Sequence, residues 1–588
     1  MPEYLAPSVY VEETSFRSKS IEGVGTSTTA FVGLTLKGPT GITPDLLTSF
    51  ADFERIYGGL GDLQLDSVRM VNYLAYAVQA YFDNGGSRLY VSRVLPSDAI
   101  KGVSIDLIST NPEEVKFQAR FAGDVGNGQV TLVEQTTPIG IPTLKNASLG
   151  SILRVRTLTS PTTNKYFLKQ EDNKSLADWK DSTSTNLVDA DLAVPPASVP
   201  PVTPPLGAPT LDLMTLRVTV RDREGNEVTY EDLGYSPKHP RWIGTVLAEN
   251  PLRRSDAIAN PFAITVSNVS SALALRDALV SSPPIVLTGG ANGSTPTLSN
   301  YQSALKALEF LDDISILAAP GYSAYSNESL YQGIEQALLG HVERRRAYQI
   351  AVLDTPPKTD LTGARSARSR IDSTKAALYY PWVVVTNPLA RTGDARIPSE
   401  ITLPPSGFVC GIYARNDIER GVYKAPANEI VRGALRFEAD INFAQQEVLN
   451  PIGINCLRFF PGRGYRVWGA RTVSSDPEWK YVNIRRYFNY LESSIDRSTQ
   501  WVVFEPNGER LWSNIRETIA AFLFNEWRSG ALLGSQPEQA FFVRCDRSTM
   551  TQNDLDNGRL ICLIGVAAIK PAEFVIFRIG QKTADTRE

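Results

Sequence analysis

The segments PGRGYRVWGARTVSSDPEWKYVNIRRYFNYLESSI (461–495) and WVVFEPNGERLWSNIRETIAAFLFNEWRSGALLG (501–534) decide how the C-terminal part of this chain folds. In the second segment apolar residues recur every three or four positions, which predicts an amphipathic helix ending at Gly530. The solvated face of this helix is marked by the charged residues Arg510, Glu517, Glu526 and Arg528. A second helix is expected near 483–492. The closing run EFVIFRIGQ predicts a terminal strand over 573–579, so the region reads as an α+β domain.

Strand and helix patterns alternate upstream of this domain. A strand FVGLTL, a helical pattern ending at Asn84-Gly85-Gly86 and a second strand SRLYVSRVL follow one another near the N-terminus. Apolar runs return after residue 240, and they predict buried strands at 314–319, 348–353 and 379–385, a helix over 328–346 and a helical stretch around 428–437. This order of strand, helix and strand predicts an α/β core.

The two halves of that core are separated by a region of different composition. Residues 100–240 are rich in Thr, Ser, Asp and Pro, and AVPPASVPPVTPPLGAP (193–209) carries seven prolines. Short alternating strands here predict an inserted, mostly β domain. The predicted parts are an N-terminal arm and linker (1–35), the first core segment (36–99), the insertion (100–240), the second core segment (241–445), the C-terminal domain (446–572) and a C-terminal strand with its tail (573–588).

Bulk composition excludes several classes of function. A length of 588 residues suggests about four domains, and 42% hydrophobic residues supply several cores. The net charge of −4 gives no basic field for nucleic acid. The four cysteines are far apart without a C-x-x-C pair, which is typical of reduced thiols in the cytosol. We expect no signal peptide, no membrane insertion, no metal ligands and no cofactor.

Six short motifs occur in order in the last 120 or so residues. They are WGART (468–472), VNIRR (482–486), FEPN (504–507), CD-STMT (545–551), GRLI (558–561) and KPAEFVIF (570–577). With these motifs the chain closely resembles the C-terminal domain of contractile tail sheath proteins, the outer sleeve of phage tails and related injection machines. YLAPSVYVEE and FDNGGSRLYVSRV also resemble the opening of that family, whereas 100–240 carries no recognisable family motif.

The resemblance implies a structural protein with a subtilisin-like α/β core, not an enzyme. Copies of such a protein exchange terminal strands, polymerise helically around an inner tube and contract from a metastable extended state to drive the tube through a target envelope. The implied donor strands contain Val9, Tyr10, Val11 and Glu12 at one end, and Phe574, Val575, Ile576, Phe577 and Ile579 at the other. The alternative is that both ends pair within their own chain. The segment SFRSKSIEGVGTSTT (15–29) predicts a flexible connector behind the first strand.

The implied partners are further copies of the chain, the inner tube protein, and baseplate and tail-terminator or cap proteins. The C-terminal domain would face the tube, and Arg510, Glu517, Glu526 and Arg528 are candidates for that face. Assembly is expected in the cytoplasm, within a particle that is later released. Type VI secretion sheaths fit less well, because they divide this core between two chains.

Two rival functions follow from the residues themselves. A subtilisin-like hydrolase would need a histidine base, and only His239 and His341 exist. Neither accompanies a nucleophile motif, although Tyr322-Ser323 follows a glycine, and Asp354 follows a buried strand where α/β enzymes place working carboxylates. The simpler interpretation is that Asp354-Thr355-Pro356-Pro357 turns the chain. The Pro/Thr-rich insertion leaves a host-binding adhesin as the second rival.

Overall fold

A computed structural model describes residues 20–66, 68–108, 114–157, 163–192, 209–391, 393 and 396–578. The predicted donor residues Val9, Tyr10, Val11, Glu12 and Ile579 therefore lie outside the described residues.

The first core segment holds the expected strand, helix and strand, but the predicted boundary at residue 35 is wrong, because its first strand, 29–34, lies inside the core sheet. Its elements are β1 (Thr29–Leu34), β2 (Leu46–Leu47), α1 (Phe50–Tyr57), β3 (Leu63–Leu65), β4 (Val68–Met70), α2 (Tyr73–Asp83) and β5 (Leu89–Val94). All six residues of β1 and of β5 are buried, as expected for strands covered on both faces. Asn72 caps α2 through its side chain, and Gly85 follows the helix with a φ of 103°.

The inserted unit is mostly β, and it is longer than predicted. Its elements are β6 (Glu114–Ala119), β7 (Gln129–Pro138), α3 (Ile141–Asn146), β8 (Ile152–Thr157), β9 (Thr163–Lys169), β10 (Trp179–Lys180), α4 (Asp189–Leu192), β11 (Thr210–Arg221), β12 (Glu227–Leu233), α5 (Ile243–Val246), α6 (Arg254–Ala259), β13 (Phe262–Ser267), α7 (Ala272–Val280) and β14 (Ile285–Val286). Because β13 pairs with β6 and β14 with β7, the predicted boundary at residue 240 is wrong, and the unit closes near residue 290. The amino-acid composition changes near residue 240, but strands after this residue still pair with strands before it.

The second core segment returns to the α/β pattern, and the predicted boundary at residue 445 is wrong, because the strands over 454–460 and 464–467 also belong to the core sheet. Its elements are α8 (Leu298–Ala307), β15 (Ile316–Ala318), α9 (Glu328–Glu343), β16 (Ile350–Asp354), α10 (Leu361–Ser369), β17 (Ala376–Tyr380), β18 (Val383–Thr386), β19 (Glu400–Leu403), α11 (Pro405–Arg420), β20 (Glu429–Ile430), β21 (Ala434–Phe437), α12 (Phe443–Leu449), β22 (Ile454–Phe460) and β23 (Gly464–Val467). The helical stretch predicted around 428–437 is wrong, since these residues form β20 and β21. The single strand predicted over 379–385 is divided at Pro381 between two sheets.

The core is a sheet of order β2-β5-β1-β15-β16-β17-β22-β23-β20. Its six central strands, β5 to β22, run parallel, and helices cover both faces. α2 and α11 pack on one face, whereas α8, α9 and α10 lie on the other. α11 approaches α2 closely at Gly411, where a Cβ atom would lie 2.4 Å from the backbone oxygen of Tyr81.

The C-terminal domain contains α13 (Val482–Ser498), α14 (Glu509–Arg528), α15 (Pro537–Ala540), β24 (Phe541–Arg544), α16 (Gln552–Asp556) and β25 (Leu563–Val566). The predicted helix over 510–530 is confirmed as α14, and its apolar stripe packs with α13 in a separate core. Among the residues described, no helix combines the length and the apolar character that crossing a membrane requires.

Candidate assembly site at the roots of the two chain ends

The C-terminal segment 573–578 forms neither helix nor strand and carries exposed apolar side chains. Phe574, Val575, Ile576 and Phe577 are 71%, 68%, 79% and 83% exposed. No strand pairing is formed by 573–578, so the predicted strand has no partner within the described part of its own chain. Four consecutive exposed apolar side chains are unfavourable in water and mark a contact surface. We call residues 573–578 the C-arm.

The base of the C-arm is held by a polar cluster. Both carboxylate oxygens of Glu573 accept hydrogen bonds from Arg471, one from Nε and one from Nη2, each at 2.7 Å. Asn450 Nδ2 donates to the same carboxylate at 2.7 Å and the Tyr481 hydroxyl at 2.8 Å. We call Glu573, Arg471, Asn450 and Tyr481 the C-latch. A bidentate arginine pair with two further donors fixes both the position and the direction of the chain at residue 573.

The electrostatics of the C-latch keep Glu573 ionised. Burial would raise the pKa of Glu573, but the hydrogen bonds from Arg471, Asn450 and Tyr481 outweigh it and lower the pKa to about 2. The Arg471 side chain is only 7% exposed, and its backbone is tied to the core sheet through hydrogen bonds with the Asn455 side chain. The C-latch therefore connects the arm to β22.

The N-terminal linker is docked as well. The segment 15–29 was expected to be a flexible connector, but its described part, 20–29, contacts the C-terminal domain. Arg486 Nη2 donates to the Thr26 carbonyl at 3.0 Å, and the Thr26 hydroxyl donates to Asp417 at 2.6 Å. The backbone N–H of Val24 donates to Ser494 Oγ at 3.1 Å. The expectation missed this docking because Gly, Ser and Thr side chains suggest mobility, whereas the partners here are mainly backbone groups.

A buried ion pair forms the centre of this second root. Arg486 on α13 and Asp417 on α11 make two hydrogen bonds, at 2.8 and 2.6 Å, and both side chains are 3% exposed. Burial raises the pKa of Asp417, while the Arg486 charge acts in the opposite direction. We call Arg486, Asp417 and Thr26 the N-latch. Such a pair depends on every partner being present, and Thr26 supplies two of its hydrogen bonds.

The hairpin β24–β25 presents an open sheet edge in the same domain. Its two strands pair antiparallel from Phe541↔Val566 to Arg544↔Leu563, and no third described strand joins them. Phe542, Leu563 and Ile564 are 50%, 50% and 37% exposed. A two-stranded sheet is marginal alone and leaves backbone donors and acceptors unpaired along its edges. This hairpin is therefore a candidate acceptor for another strand.

The four residues predicted on the solvated face of α14 do not share one face. Arg510, Glu517 and Arg528 are exposed and fall on one stripe, because their spacings of 7 and 11 residues match whole helical turns. Glu526 lies on the opposite side, where it accepts hydrogen bonds from the Tyr487 and Tyr490 hydroxyls at 3.2 and 2.9 Å. The prediction that Glu526 lies on the solvated face is wrong, because Glu526 joins α14 to α13.

The residues considered for hydrolysis have structural partners. The Asp354 carboxylate accepts hydrogen bonds from the backbone N–H and hydroxyl of Ser406, at 2.8 and 2.6 Å, in the first turn of α11. Burial raises the pKa of Asp354 to about 7, although these hydrogen bonds lower it. Burial and the charge of Arg344 lower the pKa of His341 to about 4, and its Nε2 lies 3.0 Å from Arg344 Nη2. His239 Nδ1 accepts from the backbone N–H of Arg241.

The arms were predicted from the sequence, whereas the residues that hold them were not. Arg471 belongs to WGART, Arg486 to VNIRR and Glu573 to KPAEFVIF, so the fold brings three of the six motifs to the two latches. The available signal was the presence of charged residues among the apolar residues of these motifs. Asn450 and Asp417 lie outside the motifs and carried no such signal.

Comparison with known proteins assigns the architecture. Residues 295–473 match the phage tail sheath protein central domain, and residues 474–582 match the phage tail sheath C-terminal domain. A prophage protein of Pseudomonas aeruginosa (strain UCBPP-PA14), named as a major tail sheath protein, is 27% identical over 270 residues, 45% of this chain and 64% of the relative. The tail sheath protein of Vibrio phage KVP40 is 26% identical over 187 residues, 31% of this chain and 27% of the relative.

The fold is also that of solved sheath proteins. The anti-feeding prophage helical sheath in its contracted state is 20% identical, with a TM-score of 0.52 and coverage of 98% of this chain and 99% of the other. The sheath tail protein Lin1278 of Listeria innocua is 12% identical, with a TM-score of 0.51 and coverage of 94% and 97%.

The fold and the two domain matches define a structural protein of contractile tails. The chain belongs to the contractile tail sheath family. The matched stretch spans 64% or less of the length of the curated relatives described above.

Proposed function

We propose that this chain is the subunit of a contractile sheath, which polymerises helically around an inner tube and contracts from a metastable extended state. The observation that carries the proposal is the C-arm, four exposed apolar residues held at their base by the C-latch. Its proposed place is the open edge of the hairpin β24–β25 of a neighbouring copy. The predicted N-terminal donor strand, Val9 to Glu12, is proposed to act in the same way from the N-latch.

Backbone pairing supports this arrangement energetically. An added strand of about six residues forms roughly five hydrogen bonds, each contributing on the order of 1 kcal/mol net. Burial of its apolar side chains contributes about 1.5–3 kcal/mol each. Each arm therefore contributes several kcal/mol after the cost of ordering it. Repeated along a helical lattice, such contacts keep subunits connected while they move relative to one another.

The finer features follow from this assignment. We interpret the six parallel strands with helices on both faces as a subtilisin-like core without hydrolytic function, since Asp354 caps α11. The exposed stripe of Arg510, Glu517 and Arg528 is the proposed face toward the inner tube. Baseplate and terminator proteins are the proposed partners at the ends of the sheath, assembly is proposed to occur in the cytoplasm, and the inserted unit is proposed to lie on the outside.

A host-binding adhesin is the alternative that the inserted unit suggests. Deleting the insertion separates the two functions, because an adhesin would lose target binding, whereas a sheath subunit would still polymerise. The hydrolase alternative has no supporting geometry at Asp354, and a serine-hydrolase probe that labelled one serine would revive it.

The test is to express the full chain and a chain ending at Ala572, each with its inner tube protein, and to image both by negative-stain electron microscopy. Striated hollow tubes from the full chain and none from the truncated chain are the expected result. Folded monomers from both chains would overturn the proposal.

A further inference from the structure

We propose that helix α13 is a strut that joins the two exchanged arms, with Glu573 as the residue that fastens the C-arm to it. The inference rests on the proposed function, because it assigns a load path to the strand exchange. It concerns positioning residues on this chain, and Glu573 stands at the first position of the C-arm, before its exposed apolar residues.

The N-terminal end of α13 holds the C-arm. Tyr481, the residue that precedes the helix, donates its hydroxyl to Glu573 at 2.8 Å, and it bridges to Arg471 through the backbone. Two residues further, Asn483 Nδ2 donates to the carbonyls of Tyr423 and Ile569, at 2.7 and 3.4 Å. The chain is thus attached to this end of the helix at Ile569 and again at Glu573, immediately before the exposed apolar residues begin.

The next turns of α13 hold the N-terminal linker. Arg486, Tyr490 and Ser494 are spaced by four residues and therefore share one face of the helix. Arg486 donates to the Thr26 carbonyl, and Ser494 accepts from the Val24 backbone. Gly23 lies against Tyr490 so closely that a Cβ atom there would be 2.3 Å from the Tyr490 hydroxyl oxygen.

A helix is the stiffest available connection between these two roots. α13 has 17 residues, a length of roughly 25 Å, and it is braced against α14 by the Tyr487 and Tyr490 hydrogen bonds to Glu526. Tension that enters through one arm can leave through the other along this helix. The ion pairs Arg471–Glu573 and Arg486–Asp417 tie its two roots to β22 and α11 of the core, so the core follows the strut.

Glu573 is the decisive residue because the last described β-bridge before the arm is Leu532↔Ala568. Without the C-latch, residues 570–573, which follow the Asn483–Ile569 hydrogen bond, would join the arm as free chain. A strand rooted in a free segment loses a fixed register against its acceptor. A glutamine keeps the shape of Glu573 but places an amide N–H2 group among donors. We therefore expect E573Q to weaken assembly without unfolding the subunit.

The experiment compares four full-length variants, E573Q, R471E, E573R and the double variant R471E/E573R, by the fraction pelleted as tubes. E538Q is the matched control, because Glu538 is an exposed carboxylate of the same domain. We expect the pelleted fraction to fall about tenfold for E573Q, because weakening one charge-assisted hydrogen bond costs about the free energy that corresponds to a factor of ten. The pelleted fraction of E538Q should equal that of the wild type. The melting temperature of the unpelleted subunit should stay within about 2 °C.

The reversed pair gives a readout that a purely structural role would not move. Each single reversal should abolish tubes, and the double variant should restore them, since the ion pair is rebuilt in the opposite sense. The recovery should be only partial, because Lys480 Nζ, 3.7 Å from Glu573, and the Asn450 and Tyr481 donors keep their preference for a carboxylate at this position. Wild-type tube yield from E573Q, or no recovery in the double variant while it melts like wild type, would overturn the inference. If E573Q assembles normally while the chain ending at Ala572 does not, only the proposed role of α13 and Glu573 is overturned, and the proposed strand exchange stands. If the chain ending at Ala572 also forms tubes, the exchange itself fails.

Discussion

Replacing the apolar residues of one face of the C-arm should raise the subunit concentration needed for polymerisation. Phe574 and Ile576 are two apart, so in a paired strand both point to the same side of the acceptor sheet. In the isolated chain they are 71% and 79% exposed, so their substitution by serine removes little folded-state packing. The double variant F574S/I576S therefore acts mainly on assembly.

The magnitude follows from the exposed area. Full burial of a Phe or Ile side chain contributes about 1.5–3 kcal/mol, and about three quarters of each remains to be buried. The two substitutions together then remove about 3 kcal/mol from each arm contact. Because about 1.4 kcal/mol corresponds to a factor of ten, the critical concentration should rise by about a hundredfold.

Sedimentation across a dilution series measures this critical concentration directly. The matched control is F443S/I418S, because Phe443 and Ile418 are 69% and 64% exposed on helices outside the arm. The control should polymerise like wild type. A critical concentration for F574S/I576S within about threefold of wild type, well under one factor-of-ten step, would refute the claim that the arm is buried in the assembly.

Three further predictions concern stability. D417N leaves the Arg486 charge buried without its partner and should lower the free energy of unfolding by about 3–5 kcal/mol in urea titrations; a loss below about 1 kcal/mol would contradict the buried-pair geometry. G411A places a Cβ atom 2.4 Å from the backbone oxygen of Tyr81 and should lower the melting temperature. The control G340A lies in a helix at a position with open space around it. It should leave the free energy of unfolding unchanged or raise it by up to about 1 kcal/mol. Burial raises the pKa of Glu335 from 4.5 to about 7, so the free energy of unfolding of the wild type should fall by about 3 kcal/mol as pH rises through that window. E335Q should remove this loss. Identical profiles of unfolding free energy against pH for the wild type and E335Q would contradict the prediction.

The sequence allowed the local elements to be predicted where the pattern is periodic. α14 was predicted because Leu511, Ile515, Ile519 and Phe522 recur at helical spacing, and they are buried in the core that α14 shares with α13. The stretch 428–437 failed because two short strands separated by Gly433 give apolar spacings that resemble a helix. Glu526 was wrongly placed on the solvated face because a charged residue on a helix was expected to face water. Instead, its carboxylate lies between α13 and α14, where it accepts hydrogen bonds from two tyrosine hydroxyls.

Strand pairs and hydrogen bonds between residues far apart in the chain could not be predicted from the sequence. The insertion ends near residue 290 because β13 and β14 return to β6 and β7, across more than 140 residues. The latches join Thr26 to Asp417 and Arg471 to Glu573, separations of 391 and 102 residues. No local pattern encodes such contacts. The arms could be predicted as apolar, alternating ends, but their roots required the folded chain.

The central claim is that the C-arm pairs with a different copy of the chain. Helical reconstruction of assembled tubes by cryo-electron microscopy tests it directly, because residues 573–578 can be traced from Glu573 to their acceptor. The account predicts backbone pairing of this segment with the hairpin β24–β25 of a neighbouring subunit, with Glu573 still bound to Arg471 of its own chain. Density that leads the segment back to its own hairpin, or past every hairpin without pairing, would contradict it.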